Sequence, residues 1–329
     1  MQRHQSMNAR GWAAGAASAS AYGSMPVVAV FAFGGGASPA VLLTLRGVFA
    51  ALAIGAIWIM TGRARRVPLT PALGLITLCG IVFGLQVVAF FIAVQRGGAQ
   101  LPVVVVNVCP LFVIGLVWLR DRTPIPLALI ALAGVTLVGL VLVSGAGSSP
   151  ASLSAVVLTL LSAAGYAVYL VLSERWVHEV GTVASAGLVM IGSTATIAVF
   201  ALVRGDDFAI SATAWHAAIL QGLALTPIGM GGALYAVRSL GSVPLSLLGA
   251  LEPAIGITMA ALVLHEWLTP TQWVGVVVIV VACGAVPLVM RRRSAPLEVP
   301  LPLPTGAGIG EAAIPDDRYE DPEPPVRER

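Results

Sequence analysis

The chain has 329 residues, of which 58% are hydrophobic and only 10% charged, where a soluble globular protein carries about 25% charged residues. Mean hydropathy is +0.94 and the formal charge is +3. This balance leaves too little polar surface to cover a soluble core. It excludes an ordinary soluble enzyme, a disordered chain and a secreted disulfide scaffold, and leaves an integral membrane protein.

Residues 1–11 carry Arg3, His4 and Arg10 and are read as a short cytoplasmic N-terminus, not a signal peptide, because apolar sequence runs on to about residue 33. A spanning helix needs about 20 predominantly apolar residues. Ten stretches qualify: 12–32, 39–60, 73–94, 100–119, 124–143, 151–172, 183–203, 213–236, 243–264 and 270–290. They are continuously apolar and not alternating, so β-barrel spans are not expected. The expected fold class is an all-α integral membrane protein. Residues 291–329 are different material, with eight prolines and eight acids, and read as a disordered cytoplasmic tail.

Arginine placement orients the spans. With the N-terminus inside, cytoplasmic segments hold Arg3, Arg10, Arg63, Arg65, Arg66, Arg120, Arg122, Arg175, Arg238 and Arg291 to Arg293. The outer loops hold only Arg96 and Arg204, the latter beside Asp206 and Asp207. An even number of spans returns the C-terminus to the cytoplasm. Trp12, Trp58, Trp118, Trp176, Trp215, Trp267 and Trp273 fall at or near the ends of the stretches, where an indole suits the headgroup region.

The halves repeat. Ala93-Val94, Gly98 and Pro110 recur at one constant offset as Ala236-Val237, Gly241 and Pro253. Thr123-Pro124 recurs as Thr269-Pro270 at a slightly longer offset, so the first copy is shorter between its Pro and its Thr-Pro. Copies of five spans each, 12–143 and 151–290, enter the membrane in opposite senses. Inverted repeats around a central site are a transporter architecture.

The stretch LLGALEPAIGITMAALVLHEWLTPTQWVGV (247–276) has a mid-helix proline, the acidic Glu266 at the helix end and Thr-Pro opening the next helix. It resembles the helix 9–10 signature of the EamA-type permeases of the drug/metabolite transporter superfamily. Residues 38–52, with Pro39 and Arg46, resemble that family's helix 2 opening, and Leu251-Glu252-Pro253 is similar to its threonine/homoserine exporter branch. Tyr22-Gly23-Ser24 departs from the usual Trp-Gly-Ser, and Asp121 stands where Glu is usual. The resemblance implies a ten-helix export or exchange carrier with a central cavity between the halves. It leaves the substrate open among amino acids, sugars, nucleotide precursors and drugs.

Glu252 is the only acid placed at mid-membrane, with Pro253 beside it. A charged carboxylate there costs several kcal/mol, so it is expected to be protonated, paired or facing a wet cavity, which suits a proton-coupling site. Packing glue is the plainer alternative. Pro253 frees a backbone carbonyl one turn back. Arg46 lies about 10 Å into the second span and either snorkels, clamps a substrate carboxylate or pairs with Glu252. Tyr22 and Tyr166, at matching places on corresponding spans, are candidates for one cavity, with Tyr169 near by. Ser24, Gln86, Asn107, Thr226 and Tyr235 are further cavity candidates, each equally at home as helix–helix glue.

Cys79, Cys109 and Cys283 lie in apolar runs with no metal-ligand spacing, and the histidines are isolated. No nucleophile–base pair, Walker A loop or metal cluster is recognisable, so neither an enzyme, a cofactor nor a nucleic-acid partner is expected. The expected partners are a small-molecule substrate, the lipid bilayer and protons. The reading is secondary active export of small metabolites, amino-acid-like ones first, by alternating access at the cytoplasmic membrane. A passive facilitator or channel is the alternative, ahead of an intramembrane enzyme or scaffold.

Overall fold

The computed structural model describes residues 2–61, 67–97, 105–122, 126–144, 153–263 and 269–293, with side chains omitted at a few helix ends. Of the expected tail, residues 294–329 lie outside the described residues, and Arg291 to Arg293 continue the last helix. Arg63, Arg65, Arg66, His265, Glu266, Trp267 and the Thr123-Pro124 pair lie outside them too.

Every element among the described residues is helical. In chain order, α1 is Gln2–Gly34 and α2 is Pro39–Met60. Helix α3 comprises Leu69–Gly74, a π-helical turn at Leu75–Cys79 and Gly80–Gly97. Helix α4 is Cys109–Asp121, α5 is Leu127–Ser144, α6 is Leu153–Val180 and α7 is Thr182–Arg204. Helix α8 comprises Ala212–Leu220, a π turn at Gln221–Leu225 and Thr226–Leu240. Helix α9 is split into Ser242–Leu248 and Leu251–Val263, and α10 is Pro270–Arg293. Eight of the helices are long and apolar enough to cross a membrane by length and composition, and Leu127–Leu142 is a shorter apolar helix. The chain is a multi-pass membrane protein in its composition and helix lengths.

The local reasons are ordinary ones. Ser38 caps α2, its hydroxyl accepting from the Val41 N–H, and Pro39 fits the first turn, where its missing N–H has no partner to lose. The turn at Gly181 needs φ of +90°, which glycine adopts without strain, and ends α6 one residue before α7 begins. The α8 π turn lies just before Pro227, which has no N–H for the Leu223 carbonyl one turn back.

The structure departs from the ten expected spans in two ways. Helix α1 begins at Gln2, well before the expected start at residue 12, and α6 continues to Val180 through the polar Ser173, Glu174 and Arg175. The expected spans 100–119 and 243–264 are interrupted, at Asn107–Val108 and Gly249–Ala250. Each break precedes a proline. Pro110 cannot donate to the Val106 carbonyl, nor Pro253 to the Gly249 carbonyl, which instead accepts from the Glu252 N–H at 3.0 Å.

Helix starts recur at one spacing, the offset that relates Ala93 to Ala236, and α5 and α10 keep it although their Thr-Pro pairs are set slightly further apart. Pro39 and Thr182, Leu69 and Ala212, and Leu127 and Pro270 open α2 and α7, α3 and α8, and α5 and α10. The packing has the same symmetry. Helix α1 packs chiefly on α8 and α9, as α6 packs on α3 and α4, while α2 packs on α7 and α5 on α10. The largest apolar core joins α3, α4, α6, α7 and α8 around Leu75, Val113, Leu170, Val177 and Leu234.

Glycines set the closest crossings. A Cβ at Gly80 would lie 2.7 Å from the Gly192 Cα, and one at Gly192 would collide with the Ile76 carbonyl in the α3 π turn. Gly222, in the other π turn, lies against Phe49 and the Arg46 backbone of α2. On the α1–α8 seam, Gly11, Gly15 and Gly232 admit neighbouring side chains or backbone, as a small-xxx-small stripe does.

Candidate functional site: a cavity open at one end

A cavity of about 460 Å³ lies in the middle of the bundle, a size suited to a small metabolite. It begins at mid-helix and runs to the end of the bundle that carries Phe33, Leu42 and Val94. Toward the opposite end, where α4 and α6 finish, the lining among the described residues stops at Ser246, one turn into α9.

Both breaks open onto this cavity. Val106, Asn107, Cys109 and Pro110 line it at the start of α4, and Gly249, Glu252 and Pro253 line it at the start of the second part of α9. Helix N-termini present unpaired N–H groups and the positive end of the helix dipole. The two ends differ. Helix α4 has no acid in its first turn, whereas the second part of α9 has Glu252 there.

Of the residues proposed from sequence, Glu252, Pro253, Arg46, Tyr22, Gln86, Asn107 and Tyr166 all line this one cavity. Arg46 donates from Nη1 to the Met25 Sδ at 3.0 Å. The Arg46–Glu252 ion pair, one of the three readings of Arg46, is not formed. Among the described residues neither group has an opposite charge within 4.0 Å. The Tyr22 phenol lines the cavity with both. The Tyr22 ring rests on α8 at Gly229, where an added Cβ would lie 2.9 Å from it. The reciprocal contact, at the positions related by the repeat, has Gly165 of α6 against Gln86 of α3. Gln86 also accepts from the Ser162 hydroxyl at 3.0 Å.

Four other candidates do not line the cavity. Tyr169 is fully buried behind Tyr166, its ring stacked 5.9 Å away, and its hydroxyl donates to the Met230 Sδ at 3.1 Å. Ser24 donates to the Ser20 carbonyl one turn back on its own helix. Thr226 is buried and its hydroxyl has no partner among the described residues. Tyr235 lies past the cavity toward the closed end of α8. Tyr169→Phe is therefore expected to cost about 1 kcal/mol or less and to leave ligand affinity unchanged, as thermal melting and equilibrium binding of the purified protein would measure.

Gln221 was not anticipated. It lines the cavity from the α8 π turn and donates from Nε2 to the Met25 carbonyl at 3.2 Å. Its signal was available: an amide in an apolar stretch, shortly before a proline. Phe83, Phe90, Phe91 and Phe33 supply most of the remaining aromatic wall, and Ser246 adds a hydroxyl. No metal-binding group of His, Cys, Asp or Glu occurs among the described residues.

Residues 153–286, the second half of the helical body, match the model of the EamA-like transporter family. A solved structure titled only "Crystal structure of protein" has a TM-score of 0.72 at 19% identity, covering 86% of this chain and 99% of its own. That likeness establishes a shared fold, extending well beyond the family match. No curated protein matches the chain.

Proposed function

We propose that the chain is a secondary carrier that exports small metabolites across the cytoplasmic membrane by alternating access, with amino-acid-like compounds first and protons as the coupling ion. Transport of small molecules is the function of the family that residues 153–286 match. The observation that carries the finer reading is the cavity, whose lining among the described residues reaches one end of the bundle and includes one cation, Arg46, and one carboxylate, Glu252. An α-carboxylate fits Arg46 and the acid-free start of α4, and an α-ammonium fits Glu252. The aromatic wall takes an apolar side chain. One carboxylate that holds either the ammonium or a proton, but not both, couples the two fluxes by competition.

The inverted five-plus-five arrangement belongs to this proposal. The constant spacing of helix starts and the reciprocal packing of α1 and α6 support it. With two such halves, rocking about the shared cavity gives alternating access. The arginine asymmetry supports cytoplasmic termini.

Proteoliposomes with an imposed pH gradient and labelled amino acids test the proposal. Uphill accumulation that collapses with the gradient is expected. Equilibration without accumulation would make the protein a facilitator, and the absence of flux for every amino acid would remove the substrate class.

A further inference from the structure

We infer that a polar latch, Arg120–Glu174–Ser242, shuts the bundle end opposite the cavity mouth and biases the empty protein toward the conformation with the mouth open. The inference rests on the alternating-access reading above, because it concerns which of two states is preferred.

The latch is built from three helices. Arg120, at the end of α4, is held flat by its neighbour Asp121, donating from Nε to Oδ1 at 2.7 Å and from Nη2 to Oδ2 at 2.9 Å. Those bonds also hold the Asp121 carboxyl below its ordinary pKa, so it stays ionised near neutrality. With the guanidinium fixed, Nη1 reaches Glu174 Oε2 on α6 at 3.1 Å. The same oxygen accepts from the hydroxyl of Ser242, the first residue of α9, at 3.1 Å. Gly241, with φ of +93°, folds the α8–α9 turn against this carboxylate, and a Cβ there would lie 3.2 Å from Glu174 Oε1. Two residues along α6, Trp176 covers Gly74 of α3, where a Cβ would lie 2.6 Å from the indole. Elements of the first repeat, α3 and α4, are thus joined to elements of the second, α6 and α9, at the end beyond Ser246, where the described lining of the cavity stops.

An isolated exposed ion pair often contributes nothing measurable. This one differs in that a single carboxylate, with its side chain 20% exposed, gathers donors from two other helices. Opening the end separates all three.

The second observation is what stands at the mouth. If the halves exchange conformations, the contact that would shut the mouth uses the positions related to the latch by the repeat. The counterpart of Glu174 at the repeat offset is Phe31, which is exposed. Arg120 lies between Pro110 and Thr123, where the two copies differ in length, so its counterparts begin at the exposed Val263 and run on into residues outside the described ones. Phe31 has no charge, so the carboxylate that gathers the latch has no counterpart at the mouth position the repeat assigns to it. The repeat symmetry that holds for helix starts and packing is broken here, so the two ends close with different chemistry and the two states differ in free energy.

The test is a distance measurement on the full chain in lipid nanodiscs, which needs no substrate. Cys79, Cys109 and Cys283 are replaced by Ala, and spin labels are placed at Leu119→Cys on α4 and Glu179→Cys on α6, both exposed. Double electron–electron resonance of the parent is expected to give one short distance. Glu174→Gln, nearly isosteric, is expected to raise the population of a longer distance about fivefold, and the milder Ser242→Ala to raise it less. A second label pair at the mouth should shorten in step. Unchanged distributions in both variants would overturn the latch, as would equal broadening at both ends, which marks loosened packing and not a shifted equilibrium. Thermal melting of the same samples identifies any variant that fails to fold, and Ser242→Ala then decides. Because distances are read without transport, loss of the latch and loss of the carrier reading are separate outcomes.

Discussion

Glu252→Gln is expected to abolish proton-driven uphill transport, lowering its rate about a hundredfold or more, while the protein folds and melts as the parent does. The amide keeps the volume of the carboxyl but can neither release a proton nor carry a charge to meet an ammonium. The carboxylate lines the cavity beside Pro253 and has no cationic partner within 4.0 Å among the described residues, so little packing depends on its charge. Two assays on one proteoliposome preparation separate the roles: gradient-driven accumulation, and substrate exchange with no gradient. Loss of the first with retention of the second marks a coupling carboxylate. Loss of both marks a substrate contact. Full retention of both would leave Glu252 as a packing residue.

Gly192→Ala is expected to have the largest effect on folding, about 3 kcal/mol or more. The added methyl collides with the Ile76 carbonyl, and it also meets Gly80 at 3.0 Å. Neither neighbour is a flexible side chain that can step aside, so α3 and α7 must separate. Gly55→Ala on α2 is the control, since a Cβ there meets nothing within 4 Å. Removing a mid-helix glycine at such a site is neutral or mildly stabilising. Yield and thermal melting in detergent would show Gly192→Ala far below the parent and Gly55→Ala near it. A small loss at Gly192 would mean the α3 π turn yields, and that its carbonyl is not a rigid part of the crossing.

The apolar stretches were legible because hydrocarbon leaves a chain few choices: every backbone group must be bonded within the span, and length follows from thickness. Pro39 and Pro270 marked helix starts that the structure keeps. The internal breaks were harder to read. Pro110 and Pro253 signalled freed carbonyls, but whether a proline kinks a helix or ends it depends on what packs behind it, as Ala250 and Ala254 do against α10. The π turns left no sequence mark that separates them from continuous helix. For the site, chemistry proved more readable than direction. Tyr166 and Tyr169 differ by three residues, about 60° around a helix. That angle places one on the cavity and the other behind it, edge-on to Phe83 at 4.9 Å. Gln221 was as polar and as deep in its stretch as Gln86, and only the turn that carries it distinguished its role.

Arg46 and Glu252 come from different halves of the chain, and this bears on the order of synthesis. The ribosome completes the first half of the chain, with the half-buried Arg46 guanidinium, before any of α8 or α9 exists. Until then Arg46 has Met25 for company but neither the Gln221 layer nor the wall that carries Glu252. A first half alone in the bilayer holds a cation facing lipid or a water defect, and a second half alone holds the acid in the same position. Each repeat is therefore an incomplete protein in electrostatic terms. The cavity exists only once the later half arrives, so the site and the finished fold form in a single step.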